Sequence, residues 1–236
     1  MSWDDCDRPA AITRSLLGYG LLAGPFYLVV GLVQALTRDG YDLLRHDLSL
    51  LANGPLGWIQ VVNLVLSGLM TIAAAVGVRR ALRGRPGGTW GSALIVGYGV
   101  GLVAAGAFTA DPMNGFPAGT PAGPPAAPTP HGTLHFVAGG VGFLCLIAAT
   151  FVLARHFAPG WSWYSRATGV AFLAGFAGIA TGSDNPGVVL GFWVAVVLGW
   201  TWLAVLSLRL YRETPDPNRP RPAAEVTADH QPQGSA

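Results

Sequence analysis

His131 and His135 stand four residues apart at the start of a long apolar run. On a helix this spacing puts both rings on one face, where they can grip one metal ion. His46 and Asp111 extend the set to three imidazoles and a carboxylate, which suits zinc with one position left for water. Asp47 could orient a ligating imidazole or act as base, and Ser49 could donate to an oxyanion. In this reading His46, His131 and His135 bind the ion, Asp111 is a fourth ligand or base, and the chain is a metal-dependent hydrolase acting on a lipid or envelope substrate. The same residues have a structural reading. Asp111-Pro112 ends a helix, Asp184 and Asn185 make a turn before Pro186, and Asp47 or Ser49 bonds to loop backbone. Gln60 and Asn63 could join helices by hydrogen bonds. Haem fits poorly, because His46 falls in a loop and His156 has no evident partner. Cys6 and Cys145 fall at different depths, so no disulfide is expected.

The elements that must position these residues are apolar and long. Only 11% of the 236 residues are charged and 51% are hydrophobic, whereas soluble domains carry about 25% charged residues. A charged side chain at mid-bilayer costs roughly 2.5 to 3.5 kcal/mol, so this scarcity marks a membrane protein. A span needs about 20 residues. Six runs qualify, near 15–36, 58–78, 90–110, 131–153, 167–181 and 187–208. The first is too long for a signal-peptide core, and Pro25 is expected to kink it. The fifth is short and Gly-rich, consistent with a tilted or partly re-entrant segment.

All fourteen basic residues are arginine. Twelve fall in alternate gaps: Arg8 and Arg14; Arg79, Arg80, Arg83 and Arg85; Arg155 and Arg166; Arg209, Arg212, Arg219 and Arg221. The other side keeps Arg38 and Arg45. Arginine is held on the cytoplasmic side, so both termini are expected inside, in a plasma membrane, and the His/Asp cluster outside. The expected architecture is an all-α, six-span bundle at 15–210, after a cytoplasmic segment 1–14 and before a disordered, Pro-rich tail 211–236. The outer stretch 115–130 (GFPAGTPAGPPAAPTP) is too poor in large apolar groups to fold alone. Gly97 and Gly101, Ala171 and Gly175, and Gly187 and Gly191 have the spacing of close helix packing. Besides the hydrolase, a small-molecule transporter or binder and a membrane scaffold are open readings. No nucleic-acid partner is expected, since topology accounts for the arginines.

The stretches 41–63 (YDLLRHDLSLLANGPLGWIQVVN), 101–117 (GLVAAGAFTADPMNGFP) and 131–143 (HGTLHFVAGGVGF) resemble domain-of-unknown-function family 998. Its motifs here are His-x-x-Ser at His46 and Ser49, Phe-x-x-Asp-Pro at Phe108, Asp111 and Pro112, and Gly-x-x-His at Gly132 and His135. The resemblance implies a six-helix membrane fold of bacterial multi-pass proteins and no established activity. The arrangement is also faintly similar to membrane hydrolases related to alkaline ceramidase, which use Ser, Asp and His near zinc. Those differ in having seven helices and another His spacing.

Overall fold

The computed structural model describes residues 7–217. Among them the chain forms six α-helices: α1 Arg8–Thr37, α2 Gly57–Ala81, α3 Gly88–Ala107, α4 Pro130–Ala154, α5 Pro159–Ile179 and α6 Pro186–Glu213. A short 3-10 turn, Leu48–Ala52, lies between α1 and α2. The helix starts are written locally. Prolines occupy the first turns of α1, α4, α5 and α6, where a missing N–H leaves no bond unmade. The Asp7, Thr129 and Asn185 side chains accept from the first free N–H groups of α1, α4 and α6.

Each helix packs on its neighbour in sequence, and α6 returns to α1, so the six close into a ring. Large apolar side chains such as Leu22, Val29, Leu36, Trp58, Val141 and Val170 are exposed around it. Five of the helices are long and apolar enough to cross a membrane. In hydrocarbon the ring cannot be held by a hydrophobic effect between helices, so close backbone approach and buried polar bonds must hold it. Both are present. A Cβ on Gly101 would lie 2.7 Å from the Cα of Gly142, and one on Gly175 would lie 2.7 Å from the Cβ of Ala195. These glycines therefore seat α3 on α4 and α5 on α6. Gly187 and Gly191 do no such work, since a Cβ on Gly191 would meet nothing within 4 Å. Between α1 and α2, Gln34 Nε2 donates to Gln60 Oε1 (2.9 Å) and Asn63 Nδ2 donates to the Tyr27 carbonyl (3.1 Å). The expected interhelical role of Gln60 and Asn63 is what forms.

Several boundaries differ from the sequence reading. Helix α1 begins at Arg8, inside the expected N-terminal segment 1–14, and continues through Pro25. Helix α3 ends at Ala107, leaving Thr109 and Asp111 in the following loop. Helix α5 starts at Pro159 and runs 21 residues. Its first half is polar in sequence because it works inside the bundle: the Ser165 hydroxyl donates to the Thr150 carbonyl (2.7 Å) and accepts from Trp202 Nε1 (2.8 Å). That hides it from a hydropathy pattern, and α5 is the one described helix not among the five. Helix α6 reaches Glu213, and Asp216 just beyond pairs with Arg14 at 3.4 Å. The rest of the expected tail, with Arg219, Arg221 and His230, lies outside the described residues, as does Cys6. Cys145 is a free thiol.

Candidate functional site

The arginine-poor end of the ring carries two long connections, and the candidate residues build the joint between them. His46 is 2% exposed. Its Nδ1 accepts from the Asp42 N–H (2.9 Å), which fixes the proton on Nε2, and Nε2 donates to the Asn114 carbonyl (2.9 Å). One neutral ring thus ties the α1–α2 connection to the α3–α4 connection. Phe116, 1% exposed, packs beside it at 5.6 Å and against Tyr41 at 5.2 Å. Burial, and after it the Asp47 carboxylate, push the Tyr41 phenol well above its ordinary range. It therefore keeps its proton and donates to the His46 carbonyl (3.0 Å). The Arg38 guanidinium lies 5.0 Å over the Phe116 ring and donates to the carbonyls of Leu51 and Asn53, both at 2.5 Å. The stretch 115–130 is tied into this joint. It is held through Phe116 and through Asn114, whose N–H donates to the Gly123 carbonyl (2.9 Å).

A second joint ties the end of α3 to the start of α4, and two motifs meet in it pairwise. His135 Nδ1 lies 2.7 Å from the Phe108 carbonyl and 2.9 Å from the Ala105 carbonyl. Both are acceptors, so Nδ1 carries a proton and satisfies carbonyls left open at the helix end. One turn away, Asp111 accepts from the Thr129 N–H (2.9 Å) and hydroxyl (2.6 Å), and Thr129 caps α4. A Cβ on Gly132 would lie 2.1 Å from the Asp111 carboxylate. Gly132 is thus the space that lets a carboxylate sit over the positive end of α4. Phe108 with His135, and Asp111 with Gly132, are the two halves of one clasp. His131, in the first turn of α4, is exposed and lies edge-on to Phe108 at 5.8 Å.

The proposed metal set does not assemble. Among the described residues no three His, Cys, Asp or Glu side chains form a group that could hold an ion. His46 has both nitrogens bonded to backbone, and His135 has one so committed. Asp47 caps the 3-10 turn, accepting from the Ser49 N–H (2.9 Å) and, through the same oxygen, from the Ser49 hydroxyl. The Ser49 proton is therefore already given away.

Beneath the joined loops lies a cavity of about 530 Å³. Its deep end is aromatic: Tyr27 of α1, Tyr98 of α3, Phe143 of α4, and Phe192 and Trp193 of α6 line it, with Trp200 5.2 Å from Tyr27 and 5.6 Å from Tyr98. Its rim is polar and includes Asp47, Ser49, Asp111 and His135. Arg45 lines it too and pairs with Asp184 at 3.0 Å. On one side the lining is Phe136, Gly139 and Gly140 of α4, and Phe136 is 54% exposed on the apolar face of the ring. Sequence reasoning missed Tyr27, Tyr98, Asn114 and Phe116, which look like ordinary span or loop residues. One signal was available: Arg38 and Arg45 are the exceptions to the arginine pattern, and each has a specific bonding role here.

No curated protein and no solved structure matches the chain. A family described as protein of unknown function (DUF998) matches residues 21–209, which includes all three motifs and most of the ring. With its apolar helices, this places the chain as an integral membrane protein belonging to the DUF998 family, whose function is unknown.

Proposed function

We propose that this is a plasma-membrane protein, with both termini on the cytoplasmic side, that binds a small amphiphile in an outward-facing cavity. The arginine distribution supports the orientation. One observation carries the binding reading: the cavity grades from a polar rim to an aromatic floor and has an exposed apolar residue, Phe136, in its side wall. A pocket of this kind, concave and mostly apolar with a few polar groups at one end, suits an amphiphile. The side wall at Gly139 and Gly140 gives such a molecule a way in from the bilayer. Zinc-dependent hydrolysis by His46, His131, His135 and Asp111 is the weaker reading. It would require His46 to release two backbone partners that hold the loops together.

Native mass spectrometry of protein purified in a neutral detergent tests the binding. The wild-type chain is expected to retain a bound amphiphile. Gly139→Trp is expected to lose it, because a Cβ there meets nothing within 4 Å and opens a course for the indole into the cavity that Gly139 lines. Equal retention by a folded Gly139→Trp protein would refute the reading.

A further inference from the structure

Resting on that reading, we infer that the cavity selects a cation, an amphiphile or hydrophobic ion with an ammonium-like centre seated between Asp47 and the tyrosine rings. Charge is the first argument. Two carboxylates, Asp47 and Asp111, line the cavity against one guanidinium, Arg45, whose own charge is answered by Asp184 just outside the lining. Arg45 is held by Asp184, and both Asp111 oxygens are taken by Thr129. Asp47 is different. Its Oδ1 serves Ser49, while Oδ2 has no hydrogen-bond or cationic partner among the described residues.

The deep end supplies the second, independent argument. Tyr27 is 8% exposed and Tyr98 4%, both line the cavity, and neither phenol hydroxyl has a partner among the described residues. The two oxygens open onto the cavity rather than being sealed in the protein. They can accept from an ammonium N–H, and the tyrosine rings with Phe143 and Phe192 offer the electron-rich faces that attract a poorly hydrated cation. An anion would meet the Asp47 carboxylate, and among the described residues the one guanidinium lining the cavity, Arg45, is already paired. A neutral molecule would return at most one hydrogen bond to the free Asp47 oxygen, without the attraction of an opposite charge.

Equilibrium dialysis in maltoside micelles, with tetraphenylphosphonium and its isosteric anion tetraphenylborate, tests the inference. Saturable phosphonium binding is expected, lost in Gly139→Trp, not displaced by the borate, and weakened about tenfold or more by Asp47→Asn. Asn keeps an acceptor for the Ser49 N–H, so the cap is retained. Borate binding as tight as phosphonium binding overturns the cation assignment, as does phosphonium binding unchanged by Asp47→Asn. Should Asp47→Asn not fold, the two ions compared on the wild-type chain decide alone. No saturable binding of either ion overturns it too, while retention of a native amphiphile in mass spectrometry would leave the cavity reading standing.

Discussion

The two ends of the ring use polar residues in opposite ways. At the arginine-poor end, His46, Arg38, Asp111 and His135 bond to backbone groups of distant loops and helix ends. At the arginine-rich end, several charges form ion pairs: Arg209 with Glu213 at 3.1 Å and Arg85 with the same carboxylate at 3.8 Å, both exposed, and the half-buried Arg14 with Asp216 at 3.4 Å, while Arg80 donates to the Thr13 hydroxyl and the Pro9 carbonyl. Exposed pairs contribute about 0 to 1 kcal/mol, whereas leaving a buried group unpaired costs about 1 to 3 kcal/mol. The lesson is a division of labour. On the orientation proposed above, arginine on one side governs how the chain threads the membrane, while the fewer polar groups on the other side tie its loops together and frame the cavity.

This contrast breaks most easily at Phe116. Phe116→Ala removes the ring on which Arg38, Tyr41 and His46 converge, and should destabilise the protein by about 3 to 5 kcal/mol. Unfolding in mixed micelles measures it; a loss no larger than that of an ion-pair variant would end the distinction between the two ends. The clasp sharpens the comparison. Gly132→Ala drives a methyl into the Asp111 carboxylate and should cost about 2 kcal/mol. In an Asp111→Ala background the same change should cost little, so a double-mutant cycle must be strongly non-additive. Simple additivity would show that the two residues do not share a joint. The smallest effect is expected at the other end. Glu213→Gln removes the carboxylate shared by Arg85 and Arg209, both exposed, and should change stability by less than about 1 kcal/mol. A larger loss would make the arginine-rich end a structural element in its own right.

Much of the fold was written in one dimension. Apolar runs of spanning length, prolines and capping side chains at helix starts, and Gly101 and Gly175 at close crossings are local or periodic signals. The candidate site was legible only as a set of names. His46, Asp47, Ser49, Asp111 and His135 do stand at one end of the ring, and four of them, all but His46, line its cavity. Their spacing suggested an ion site because H-x-x-x-H reads the same whether the rings face a metal or the carbonyls of a neighbouring helix. Helix α5 was under-read for a related reason: Ser165 is polar in sequence and satisfied by Thr150 and Trp202 in space.

The sequence by itself determined that this chain lives in a membrane and has two chemically different ends, because the cost of burying charge acts on each residue wherever the rest of the chain lies. Only the tertiary structure decided what the polar end does with its residues. A hydrogen bond is fixed by which partner lies within about 3 Å. For His46 and Asn114, or Asp111 and Thr129, that partner is brought close by helix packing and loop closure rather than by any spacing along the chain. The same holds for the Asp47 oxygen and the phenols of Tyr27 and Tyr98 that have no partner among the described residues, which share a cavity only once the ring has closed.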